Sequence, residues 1–261
     1  MKVRALATIA LRSVRRDGVR ATIAKVPKVA AYVKYRVTQR GELRRYWTVE
    51  GEDGFDATHG TDTSGHEVFL STLSDRPSVQ HATSYWPTHV RDVRRMIGMV
   101  VDHEDHARRV DPSKRVFVDI GCGKGRTVFV AAEWPFIHLH GVELVHDLAR
   151  TAKKNLELFR NGAEQTRITI HEIDALEFVL PDPPLLIYLF HPFGLEVMKP
   201  FVDRLADSLK ATPRPCTIVY LNPAHEDLLL ATGLFVSERF PDVRDERRFS
   251  ILHGPPTPSP S

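Results

Sequence analysis

The stretch RVFVDIGCGKGR, Arg115 to Arg126, decides the fold. Val116 to Ile120 is a short apolar run suited to a buried parallel strand, and it carries an acid, Asp119, near its tip. Glycines follow at positions 121, 123 and 125, and helical spacing takes over from Arg126 to Trp134. Glycines at such a bend let the backbone turn sharply and let a ligand approach with no Cβ in the way. The stretch therefore predicts a strand, a tight turn and a helix, with a ligand seated at the strand's carboxyl end. The plainer alternative is a generic strand-to-helix turn.

The same rhythm continues downstream. His138–Leu144 reads as a second strand, followed by a helix from His146 to about Arg160. Arg167–Ile173 is a third strand, and Leu185–Phe190, very apolar, is a central fourth. Leu195–Leu209 is helical and Thr217–Leu221 is a fifth strand. Strands separated by helices of this length imply right-handed crossovers and a doubly wound α/β sheet. The end breaks the rhythm. Leu234–Phe240 and Arg248–His253 are strand-like runs joined by a short polar link, Pro241–Glu246, which predicts an antiparallel hairpin closing one edge. Upstream, Pro87–His106 reads as a helix with Val90, Val93, Met96, Ile97, Val100 and Val101 on its apolar face. Residues 50–66 (EGEDGFDATHGTDTSGH) read as a loop without a core of its own.

The ligand is constrained by charge. A dinucleotide loop reads Gly-x-Gly-x-x-Gly, but Arg126 stands in the third glycine's place and Gly125 comes one residue early. A carboxylate at the strand tip repels a pyrophosphate and suits a cationic group, to which charge-assisted hydrogen bonds are the stronger kind. The segment resembles motif I of class I methyltransferases, which use S-adenosyl-L-methionine, and so does the order of elements over about residues 87–253. The resemblance implies a Rossmann-like seven-stranded sheet with a terminal antiparallel hairpin, and S-adenosyl-L-methionine as cofactor. Asp119, Gly121, Gly123 and Gly125 would hold its methionine end. Glu143, 24 residues after Asp119 at the end of the second strand, would accept the ribose hydroxyls. Asp174, closing ITIHEIDALEF, would face the adenine amino group with Ala175 and Leu176 beside the ring. A purely structural N-cap is the alternative for Asp174. Glu172 is a competing acid on the same strand face.

The fourth strand ends in HPFG, His191–Gly194. Ligands of open α/β sheets sit outside the carboxyl ends of the strands, so His191, Pro192 and Phe193 should face the transferred group. The tripeptide is similar, imperfectly, to the Asn/Asp-Pro-Pro-aromatic motif of methyltransferases that modify amino nitrogens. It departs in having histidine where an amide or acid is usual and in lacking one proline. His191 and Phe193 are therefore the candidate catalytic residues, the imidazole as a proton acceptor and the ring as pocket wall. GTDTSG (Gly60–Gly65), SYWPT (Ser84–Thr88), the glycine loop and HPFG together resemble, more weakly, bacterial relatives of the histone-lysine methyltransferases that lack a SET domain. That likeness implies that Tyr85 and Thr63 cover the methionine end of the cofactor. For Tyr85 a core-anchoring role is the alternative.

Charge and composition bound the rest. The chain has 261 residues, 26% of them charged, and a formal net charge of +3. Residues 1–45 hold 13 Lys/Arg against 2 Asp/Glu, whereas the remainder holds 23 against 31. A basic arm, read as two short amphipathic helices over residues 1–48, thus precedes a mildly acidic body; it suits an acidic partner or a nucleic acid, and the alternative is a helical cap packed on the body with a solvated basic face. Residues 49–86 would form a cofactor-covering region, 87–253 the methyltransferase domain and 254–261 a disordered Pro/Ser/Thr tail. No apolar run reaches transmembrane length, no secretory signal is read, and two distant cysteines fit a reduced, cytoplasmic setting. His103, Glu104, Asp105 and His106 have metal-ligand chemistry but read as a solvated charged turn, and His138 and His140 as structural. The expected activity is methyl transfer to an amino nitrogen of an unidentified acceptor, a protein lysine or otherwise a small molecule or nucleic-acid base. A non-catalytic module of the same fold, binding the nucleoside or nucleic acid, is the alternative. A nicotinamide-dependent oxidoreductase is a third reading.

Overall fold

The computed structural model describes residues 54–65, 85–159, 167–241 and 248–255. Seven strands are laid out in the order β3-β2-β1-β4-β5-β7-β6. These are β1 (Val116–Ile120), β2 (His138–Glu143), β3 (Ile168–Glu172), β4 (Leu185–Phe190), β5 (Cys216–Leu221), β6 (Val236–Pro241) and β7 (Arg248–His253). The first five are mutually parallel. β7 runs antiparallel between β5 and β6, so the terminal hairpin predicted from the sequence inserts its second strand into the sheet. Every residue of β1 and β5 is buried, as central strands covered on both faces require.

Side-chain alternation divides the core into two halves. On one face Phe117, Leu186, Tyr188 and Val219 pack with Val93, Met96, Ile97 and Val100 of α2 (Val90–Val101) and with α3 (Arg126–Ala131). On the other, Val116, Val118, Ile187 and Ile218 pack with Phe201, Val202, Leu205 and Leu209 of α5 (Leu195–Ala211). On the first face α4 (His146–Leu158) crosses from β2 to β3, burying Leu148, Ala149 and Ala152. Cys216 opens β5 in the second half of the core.

The structure adjusts several boundaries. The helix expected over Pro87–His106 spans Val90–Val101: Asp102 caps it, and a separate turn follows in which the N–H groups of Arg108 and Arg109 donate to the Asp105 carbonyl. Within the stretch 50–66, the described residues 54–65 are not coreless. Phe55–His59 forms a short helix, α1, whose Phe55 ring joins Phe159 and the main core. A helix absent from the sequence reading, α6 (Glu226–Ala231), follows β5. α5 runs through Pro200, which removes one rung of its ladder near the amino end without ending the helix. The basic arm, the greater part of the hairpin link and most of the tail lie outside the described residues.

Candidate active site

The carboxyl ends of β1, β2, β4 and β5 open into one cavity of about 350 Å³, within the size range of small-ligand sites. Asp119, Gly121, Gly123, Glu143, Asp174, Ala175, Tyr85, His191 and Phe193 all line it. Gly125 does not. It caps α3 at φ 92°, and a Cβ there would meet the Phe129 ring at 2.8 Å, so its place in the bend is structural. Gly123 has φ 57°, and a Cβ on it would lie 2.2 Å from the Tyr85 ring. The missing side chain is what allows Tyr85 to lie across the bend.

Asp119 is only 2% exposed. Burial, and then the neighbouring charge of Glu143, push its pKa well above the ordinary carboxylate range. Burial also raises Glu143, although backbone donors work against it. Its Oε2 accepts from the Gly123 N–H at 2.9 Å and its Oε1 from Val145 N–H at 2.8 Å. Glu143 therefore fixes the shape of the glycine bend. Each carboxylate oxygen has a second lone pair, so this bracing leaves acceptor capacity toward the cavity.

Asp174 does both things the sequence allowed. Its Oδ1 accepts from Leu176 N–H at 2.9 Å, while the residue lines the cavity with Ala175. What it caps is a turn, since no helix follows β3 there. The competing Glu172 points to His146 and Lys153 at 2.5 and 2.9 Å, which hold it down to about 2, and it does not line the cavity.

Thr63 lies outside the cavity lining and is fully buried. Its carbonyl accepts from the Tyr85 hydroxyl at 2.6 Å, so it holds Tyr85 in place. Arg126, 1% exposed, donates to Thr63 Oγ1 at 2.8 Å and to Ser64 Oγ at 2.7 Å, and lies 3.6 Å from Asp56 Oδ2. Asp56 in turn accepts from Thr61, Thr63 and Ser64. The residue that spoils the dinucleotide pattern is thus the rivet that fastens residues 56–64 beside the glycine bend. Sequence reasoning found Arg126 only as an exception; a cation at a helix start, where the helix dipole disfavours it, was the available signal.

At the far end of the cavity His191 (φ 38°) and Asn222 (φ 51°) are the two non-glycine residues with left-handed backbone among the described residues. They stand at the tips of β4 and β5, and both line the cavity. Such conformations cost of order 1–3 kcal/mol each and gather at functional sites. Asn222 was missed by the sequence reading, as was His225, whose ring centroid is 5.8 Å from that of His191. Burial, and then His225, lower the pKa of His191, favouring the neutral imidazole. Pro192 packs on Gly121, where a Cβ would lie 3.0 Å from its own Cβ, and Phe193 meets Phe201 edge-on at 6.0 Å. Cys122 is buried, with its thiol pushed well up by burial, and offers no nucleophile.

No protein-family model matches the chain, and no curated protein sequence matches it. Solved structures do. A human methyltransferase 10 domain-containing protein is 16% identical with a TM-score of 0.51, over 81% of this chain and 97% of that one. An S-adenosylmethionine-dependent O-methyltransferase from Thermotoga maritima is 17% identical, TM-score 0.47, over 65% and 67%. A precorrin-6y C5,15-methyltransferase from Geobacter metallireducens is 16% identical, TM-score 0.44, over 62% and 87%. The protein has the class I methyltransferase fold, Rossmann-like and doubly wound, as its strand order requires. At these identities the likeness speaks for the fold, and the site must speak for the chemistry.

Proposed function

We propose that this protein binds S-adenosyl-L-methionine and transfers its methyl group to an amino nitrogen. The observation that carries the reading is the pair of buried acids, Asp119 and Glu143, at the glycine bend. Two carboxylates shielded from water at neighbouring strand tips want a cationic ligand with hydroxyls, not a pyrophosphate. Glycines at 121 and 123 keep the cradle clear of side chains, and the cavity is large enough for a nucleoside.

In this reading Asp119 would pair with the ammonium of the amino-acid end, Glu143 would accept from the ribose, and Asp174 with Ala175 would border the base. Tyr85 roofs the methionine end and excludes water. The bound cofactor supplies a methyl carbon activated by its sulfonium. His191, kept neutral, would accept a hydrogen bond from the acceptor amine and take up its proton as the amine receives the methyl group. Phe193 and Asn222 bound the acceptor's approach, so the chain's main contribution is positioning. The acceptor is an amine-bearing protein or small molecule; the His-Pro-Phe tip supports nitrogen as the target atom.

The test is titration calorimetry followed by turnover. S-adenosyl-L-methionine binds and NAD(H) does not. Isotopic methyl then appears on an extract component identified by mass spectrometry, and His191→Ala loses on the order of 10²-fold in rate while cofactor affinity holds. Cofactor binding without any transfer to an extract makes the protein a sensor instead; NAD(H) binding with no response to S-adenosyl-L-methionine ends the proposal.

A further inference from the structure

Away from the cavity, the turn after α2 meets the terminal hairpin. There His103 of the turn, Glu238 of β6 and His253 of β7 each turn a ligand-bearing atom inward, all within 4.8 Å of one another. Among the described residues this is the one such trio. Of the charged run His103–His106, only His103 takes part; the other two members come from strands more than a hundred residues away in sequence. That is why the sequence alone read the run as a solvated turn.

We propose that His103, Glu238 and His253 form a binding site for a divalent transition metal of the zinc type, pinning the terminal hairpin to the end of α2. Two imidazoles and one carboxylate are the donor set that such ions prefer. The spacing fits. Ligands ~2.0–2.1 Å from a tetrahedral zinc stand ~3.3 Å apart; His103 Nε2 lies 3.2 Å from Glu238 Oε2, and His253 brings its donor within 4.8 Å of both partners.

The independent observation is His253 itself. Its side chain is 10% exposed, and its Nε2 is buried with no hydrogen-bond partner, aimed at the same point as the other two donors. A buried imidazole nitrogen left without a partner costs free energy unless something takes its lone pair. Arg108 complicates the electrostatics and also supports them. Its guanidinium holds Glu238 Oε1, leaving Oε2 toward His103, and it lies 3.5 Å from Asp105, which tempers its charge. Orienting a ligating carboxylate is the usual task of such an outer partner. Three protein donors leave a fourth position for water.

This inference is independent of the cofactor reading, and so is its test. Full-length protein without an affinity tag is dialysed against Zn²⁺, and bound zinc is measured by elemental analysis, calorimetry and thermal melting. The expected result is about one zinc per chain and a higher Tm. His103→Ala removes a donor from the turn without opening the core and should weaken zinc ~100-fold. His253→Ala should do the same; if it unfolds, His103→Ala decides alone. His171→Ala, in a separate histidine group, should bind zinc as the unaltered protein does. Zinc retention below ~0.1 per chain, equal affinity in His103→Ala, or loss of binding in His171→Ala overturns the proposal.

Discussion

Asp119 and Glu143 sit side by side where water is excluded, at positions that a protein selected for stability alone would fill with apolar groups. Both influences on Asp119 raise its pKa, so the native state holds the proton more tightly than the unfolded chain does. Its contribution to stability is complete below the ordinary value of 3.8 and is lost as pH climbs through the elevated native value. Asp119→Asn should therefore move two readouts in opposite directions near pH 8. Without ligand, thermal melting should rise by about 2–4 °C. Affinity for S-adenosyl-L-methionine should fall ~10–100-fold by calorimetry, the loss of one charge-assisted contact. A fall in both would make Asp119 a structural acid. His140 illustrates the reverse sign. Burial, then His138 and His171, pull it down to about 4, and its Nδ1 lies 2.9 Å from His171 Nε2. Neutral imidazoles are favoured in the native state, so stability present above pH 6.5 drains away as pH falls toward about 4. Melting temperatures measured across that interval should drop, and His140→Phe, which keeps a ring beside Phe178, should flatten the slope.

At the scale of elements, the segment around α1 is fastened to the glycine bend by a polar cluster with Arg126 at its centre. Asn155 of α4 adds a second fastening, donating to the carbonyls of Asp62 and Lys124 at 2.9 and 3.0 Å. Arg126→Ala leaves Asp56 without its cation and the hydroxyls of Thr63 and Ser64 without their donor, a loss of about 2–4 kcal/mol. Hydrogen exchange should show residues 54–65 deprotected while β1 and β4 stay protected, and cofactor affinity should fall because Tyr85 loses its support. Uniform deprotection would mean that the segment is part of the global folding unit. Strands β1, β4 and β5 were legible because almost wholly buried strands read as near-continuous apolar runs between turn residues. Asp119, Glu143 and Asp174, the acids near the ends of β1, β2 and β3, were picked out through the glycine bend that follows the first and precedes the other two, and the structure brings all three to one cavity. Asn222 and His225 were not, since nothing local in LNPAH marks a strand tip as functional; only β5 lying next to β4 brings them to His191. α1 was missed for a related reason. Its one apolar anchor, Phe55, finds its partner at Phe159, a hundred residues on.

Over the whole molecule, charge is divided between arm and body, with the arm outside the described residues. No helix among the described residues is long and apolar enough to cross a membrane. A polyanionic partner for the arm predicts binding that weakens steeply with salt and disappears when residues 1–45 are deleted. Fluorescence anisotropy with a short nucleic acid checks both; a flat salt response removes the arm from recognition. The two cysteines carry a different consequence. They are the chain's full complement of thiols, one wedged against Gly141 behind the glycine bend and the other sealed at the start of β5, with 4% and 2% exposure. A maleimide dye offered to the native fold should pass both by. Placing a cysteine at Val179, 80% exposed on the surface, would then give a singly labelled protein with both native cysteines left in place, ready for spectroscopic distance measurements.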